Sequence, residues 1–172
     1  MPKLKEVDLT AVTAKIITQL GQGGAFLTVA DDDRVNTMTV GWATLGRMWG
    51  KPVCVVPVRC SRYTRQLIQR AASFSLSVPL AGALETELDY CGSKSGREVD
   101  KFSQCGLKLR PGIAINSPAI AGCDIVLECR ILHRQTLEPL NLAPEINTKW
   151  YADDDYHILF YGEVIKTYAQ PQ

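Results

Sequence analysis

Polar and apolar residues alternate over several short windows of this chain, and each window predicts a strand with one face turned to a core. "AFLTVA" (25–30) and "VNTMTV" (35–40) flank the polar "DDDR" and predict a hairpin with a four-residue loop. "PVCVVPV" (52–58) is apolar on both faces, as in a strand covered on both sides, although Pro57 removes one ladder donor and points to an edge or a bulge. "SFSLSV" (73–78) sends Phe74, Leu76 and Val78 one way, and "DIVLECRIL" (124–132) and "HILFYGEVI" (157–165) alternate in the same manner. The period changes in "SRYTRQLIQRAA" (61–72), where Leu67, Ile68 and Ala71 share a helical face behind a capping Ser61. Six strands with three or four short helical stretches predict a mainly β fold with short helices, a barrel or sandwich rather than alternating βαβ units. No repeat or linker divides the chain, so one domain over residues 1–172 is expected.

Length supports this picture, because a domain of 172 residues buries roughly 70% of its unfolded surface and needs no staples. With 19 Lys and Arg against 18 Asp and Glu, no overall field draws the protein to nucleic acid or anionic lipid. Any anion site is therefore local. The six cysteines (Cys54, Cys60, Cys91, Cys105, Cys123, Cys129) form no C-x-x-C, and only His133 and His157 could complete a metal set, so reduced thiols and no metal site are expected. The N-terminal "MPKLKEVDLT" lacks a signal-like apolar core, and no run approaches the ~18 apolar residues of a membrane span. A soluble, cytoplasmic protein with no membrane partner is expected.

Local chemistry gathers in three places. "VRCSRYT" (58–64) puts Arg59, Ser61, Arg62 and Thr64 at the end of an apolar strand and the start of a helix, a set that suits phosphate through orphan N–H groups and planar guanidinium donors. An ordinary cap with solvated arginines explains the same residues equally well. "NTMTVGWATLGRMWGKP" (36–52) places Asn36, Met38 and Val40 on one side of a strand and Thr37 and Thr39 on the other, then sets Trp42 and Trp49 among glycines. Those tryptophans suit either a wall for a flat molecule or a plain aromatic core. In "YCGSKSGREVDKF" (90–102), Ser95 and Glu98 have capping-box spacing, while Gly92, Ser93 and Lys94 form a turn able to aim N–H groups and one cation at an electron-rich edge.

Taken in order, "NTMTVGW", "WGKP", "VRCSRYT", "CGSKSGREVDKF" and the closing H-x-L-x-Y-G-E-V resemble the flavin reductase-like family, the FMN-binding split barrels that include flavin reductases and flavoredoxin. The resemblance runs from about "GAFLTVA" to "HILFYGEV"; family members commonly carry proline before the serine of the phosphate segment, where this chain has Cys60. It implies a split β-barrel of Greek-key type, FMN as cofactor, and a homodimer with FMN near the subunit interface. On that basis Arg59, Ser61, Arg62 and Thr64 hold the FMN phosphate with Tyr63 packed beside it. Asn36, Thr37, Met38 and Thr39 follow the ribityl chain and pyrimidine side, and Trp42 lines the ring pocket. Lys94, with backbone donors from Ser93 and Ser95, faces the edge that gains negative charge on reduction. His157 and His133 are the candidate catalytic residues, as groups that approach the flavin or a stacked nicotinamide and not as general acids; a half-buried structural role is the commoner state of such histidines.

Two functions follow from the resemblance. One is an oxidoreductase that takes hydride from NAD(P)H into FMN and passes electrons to free flavin or another small-molecule acceptor. The other is a flavoredoxin-like carrier that exchanges electrons with a redox protein partner. A further reading gives the barrel another phosphorylated aromatic, such as pyridoxal phosphate, or a haem-related ligand.

Overall fold

The computed structural model describes residues 4–32 and 34–170. Its elements run β1 (Lys5–Glu6), α1 (Thr13–Gln22), β2 (Ala25–Ala30), β3 (Val35–Val40), β4 (Thr44–Met48), β5 (Lys51–Arg59), α2 (Tyr63–Ile68), β6 (Ser73–Val78), α3 (Glu85–Ser93), α4 (Lys101–Cys105), β7 (Leu109–Arg110), β8 (Ala119–Ile120), β9 (Ile125–Thr136), α5 (Pro144–Trp150) and β10 (His157–Ala169). β2, β3 and β6 lie where alternation put them, and the β2–β3 hairpin pairs Ala25 with Val40 through Ala30 with Val35. Residue 33 of its expected loop lies outside the described residues.

One antiparallel sheet follows the order β3-β2-β6-β9-β10-β5-β4, with β1 on β10, and β7–β8 form a separate small pair. β3 and β4 are neighbours in sequence yet stand at opposite ends of this order. The sheet nevertheless wraps one core, because Met38 and Val40 of β3 join Cys54, Val56 and Val58 of β5, Phe74 and Leu76 of β6, Leu127 of β9 and Phe160 of β10 in a single buried cluster. Phe74 and Phe160 are fully buried, each stabilising the fold by about 1.5–3 kcal/mol relative to exposure. Register shifts in the β9–β10 pair at Tyr161/Gly162 and Val164/Lys166 add twist where the longest strands must curl. A second cluster of Phe26, Leu88, Cys91 and Leu107 seats α3 and α4 on the outside of β2. The fold is thus mainly β with short helices.

Two local expectations are corrected. The helix expected over 61–72 covers only Tyr63–Ile68, with Arg62 in the cap position and no side-chain cap bond. A turn intervenes, closed by the Arg62 N–H donating to the Arg59 carbonyl, so Ser61 falls outside the helix. β4, expected as loop wall, is an edge strand joined to β5 by a turn in which Trp49 (φ 53°) and Gly50 (φ 73°) are both left-handed, as a two-residue type I′ hairpin requires. Among the described residues no helix is long and apolar enough to cross a membrane.

Candidate functional site

The end of β3 and the two residues after it, Gly41 and Trp42, form one side of a pocket of about 190 Å³, which β5 and β10 complete. Met38, Thr39, Trp42, Arg59, Arg62 and His157 meet there, as the sequence suggested, and Trp150 closes the wall. The Trp42 ring stands edge-on to Trp150 at 4.9 Å between centroids and 5.2 Å from His157. This volume is below the roughly 300–1,000 Å³ of ordinary ligand sites. α5 contributes its last residue, Trp150, to the lining, and none of that helix's residues is buried.

Polar bonds fasten this covering segment together with the buried Tyr151 ring, which stacks on Tyr156 at 4.8 Å between centroids. Arg59 donates from Nη1 to the Asp155 carbonyl and from Nη2 to the Trp150 carbonyl, both at 2.8 Å, and its guanidinium lies 5.4 Å from the centre of the Tyr151 ring. Ser61 gives its N–H (3.0 Å) and its hydroxyl (2.6 Å) to the Asp155 carboxylate. Two groups assigned to phosphate from the sequence therefore also hold residues 150–155. Arg62 instead reaches across to the Gly92 carbonyl at 3.0 Å. Arg97, which the sequence reading passed over, donates to the Ser61 carbonyl and lies over the Tyr63 ring at 5.4 Å.

Asn36 and Thr37 are buried and turned to partners within the protein. The Asn36 amide donates to the Thr64 hydroxyl at 2.8 Å, and Thr37 bonds Thr28 across the hairpin. Their part of β3 is covered by the loop after α3. At Gly96 an added Cβ would lie 2.1 Å from Asn36 Oδ1 and 3.0 Å from a Tyr63 ring carbon, so only glycine lets the loop approach this closely. Ser93, the last residue of α3, and Lys94 after it are exposed, and Ser95 is partly exposed. The expected capping box is absent: Ser95 Oγ accepts from the Arg97 N–H, and α4 is capped by Asp100, whose carboxylate accepts from Phe102 and Ser103 N–H groups. Behind the loop, Lys101 is 4% exposed and donates to the Thr37 and Cys91 carbonyls, which joins β3 to α3. Burial first, then the nearby Arg62 charge, lower its pKa, while Cys91 opposes them.

The two histidines part company. His157 is 7% exposed, and its Nδ1 shares a 2.8 Å hydrogen bond with the Tyr151 hydroxyl. Burial, followed by Arg59, lowers its pKa from 6.5 to about 4, against an opposing effect of Asp155, so the ring is neutral near pH 7. His133 is exposed on the outer sheet face opposite Tyr161, 5.4 Å from that ring and 6.1 Å from Trp49. It does not line the pocket: its partner Tyr161 is four residues along β10 from His157, roughly 13 Å at ordinary strand rise.

Residues 17–172 match the flavin reductase like domain, and the chain belongs to that family. Among solved structures, an FMN-binding domain of a flavin reductases-like enzyme from Shewanella baltica superposes with a TM-score of 0.69 at 23% identity, covering 98% of this chain and 78% of that one. Flavoredoxin from Methanosarcina acetivorans gives 0.67 at 29% identity, covering 87% and 69%. An NADH:FAD oxidoreductase of Streptomyces globisporus gives 0.63 at 24%, covering 96% and 87%.

The donor chemistry fits FMN. Trp42, Trp150 and a neutral imidazole make an uncharged wall for a flat ring, and Arg62 and Arg97 flank the turn at 61–63 with guanidinium groups suited to phosphate.

Proposed function

We propose that the chain binds FMN and catalyses hydride transfer from NAD(P)H to it, with electrons passing on to a flavin or another small-molecule acceptor. The observation that carries this reading is the convergence of Met38–Trp42, Trp150 and His157 on one pocket that Arg62 also lines. FMN would supply reversible hydride and electron uptake; the protein's share is binding, orientation and electrostatics. Arg62 and Arg97 would bind the phosphate, with Ser61 and Arg59 joining them where Asp155 gives way. Met38, Thr39 and Trp42 would line the ring, and Asn36, Thr37 and Thr64 would shape the floor beneath it. Lys94, with the N–H groups of Ser93 and Ser95, would stabilise charge on the pyrimidine edge. The neutral His157 adds no charge of its own to the wall beside Arg59, so a nicotinamide aligned against the ring would not desolvate an imidazolium. His133 has no part in the pocket. A homodimer through the face that exposes Met48 and Trp49 accompanies this reading, and light scattering tests it.

The likeness to flavoredoxin at 29% identity supports the second reading, a carrier serving a redox protein partner. Anaerobic mixing separates the two: a reductase loses its flavin absorbance within seconds of meeting NADH or NADPH, as expected for turnover above about 1 per second. A flavin that dithionite bleaches and neither nicotinamide touches over many minutes belongs to a carrier.

A further inference from the structure

β3 ends the sheet order, so the backbone groups of alternate residues along it face away from β2. The Thr37 carbonyl is one of them, because it accepts from Lys101 Nζ at 2.9 Å instead of joining the ladder. The backbone of Thr39 points to the same side two residues further on, and Thr39 lines the ring pocket. Its hydroxyl donates to the Leu88 carbonyl, so α3 is stitched to this edge at both positions. The Lys101 ammonium and the pocket wall thus share one strand edge, roughly 7 Å apart at ordinary strand rise.

Lys101 is buried, and among the described residues no carboxylate pairs with it. The last turn of α3 supplies the compensation. Cys91 and Gly92 present successive carbonyls there; Lys101 takes the first at 2.7 Å and Arg62 the second at 3.0 Å, so two cations share the negative end of one helix. Burial, and after it the Arg62 charge, work against the Lys101 proton, and negative charge placed on this edge would relieve both. A hydride carries two electrons and one proton, so a neutral ring that receives it becomes an anion while the donor leaves as NAD(P)+. We propose that Lys101 sets how readily a flavin in this pocket accepts electrons, its buried charge stabilising the reduced ring across the β3 edge. Water screens the exposed Lys94, whereas Lys101 is shielded from it, so Lys101 has the larger effect. Lys101 is a positioning and electrostatic residue rather than a catalytic one. The proposal rests on the flavin reading of the ring pocket.

Midpoint potentials of the FMN-loaded full chain, measured by equilibration with redox dyes, test it. In the wild type, reduced FMN binds at least about tenfold more tightly than oxidised FMN, which places the bound potential about 30 mV above that of free FMN. Lys101→Gln removes the charge and keeps an N–H for each carbonyl, Lys101→Met removes both, and Lys101→Arg keeps both. The Gln and Met variants lose about tenfold in favour of the oxidised form, the Arg variant retains most of the wild-type value, and Lys94→Met shifts it less than Lys101→Gln does. A wild-type potential at or below that of free FMN overturns the proposal without any variant. So does a potential lost in Lys101→Met and restored in Lys101→Gln, which would mean that Lys101 only ties α3 to β3. A larger shift in Lys94→Met than in Lys101→Gln overturns it in favour of the exposed lysine. If the wild type binds no flavin, the flavin reading itself fails and this proposal falls with it.

Discussion

Asp155→Ala removes the acceptor for both the N–H and the hydroxyl of Ser61, at 3.0 and 2.6 Å. Hydrogen bonds to a charged group are worth about 1.5–3 kcal/mol, and partial exposure of this pair brings the expected loss to about 1–1.5 kcal/mol. About 1.4 kcal/mol is a factor of ten in an equilibrium constant. Since α5 buries no residue of its own, that loss falls on the local opening of residues 144–155 rather than on the barrel. Amide hydrogen exchange by mass spectrometry should show peptides from this segment exchanging roughly tenfold faster in the variant, with β6 and β9 unchanged. The same substitution frees the Ser61 donors, so FMN should bind a few times more tightly and riboflavin, which lacks the phosphate, should not. Unchanged exchange in 144–155 would refute the idea that Asp155 fastens the segment. Weaker FMN binding would refute the competition between carboxylate and phosphate at Ser61.

Arg62→Ala should weaken FMN binding by roughly tenfold to a hundredfold and leave riboflavin nearly unaffected; equal losses would remove Arg62 from the phosphate. His157 has a folded pKa of about 4 against 6.5 unfolded, so between these values the unfolded chain binds the extra proton and stability falls as the pH drops through that window. The loss attributable to His157 is about 3 kcal/mol, and denaturant melts of His157→Gln should show a correspondingly flatter profile from pH 7 to pH 4. Gly96→Ala places a methyl group 2.1 Å from Asn36 Oδ1, so the loop at 93–97 must lift. Melting temperature and FMN affinity should both fall, whereas Gly46→Ala, where an added Cβ meets nothing within 4 Å, provides a control for the method.

Strand alternation located β2, β3 and β6 because those segments carry their own two-residue period and are bounded by breakers at both ends. β9 and β10 run further than their apolar patterns, to Thr136 and Ala169, because each lends the other ladder bonds beyond its apolar stretch. β4 was not legible: Thr44–Met48 is almost wholly exposed, contains Gly46, and exists as a strand through pairing with β5. The helix after β5 is shorter than its pattern because its apolar face continues to Ala71 beyond the helix end, while the turn closed on the Arg59 carbonyl delays its start.

Residue type and order by themselves determined the family and the mainly β architecture, and singled out Met38, Trp42, Arg59, Arg62 and His157 as candidates; the structure brought those five to one pocket. Tertiary structure alone decided that Arg59 and Ser61 also grip residues 150–155, that Lys101 joins β3 to α3, and that His133 faces away from the pocket. The reason is distance along the chain. Periodicity and capping patterns act over a few residues, whereas Arg59 meets Asp155 across 96 positions and Lys101 meets Thr37 across 64. Which polar group satisfies which depends on how the sheet curls, and that is set by the packing of the whole core.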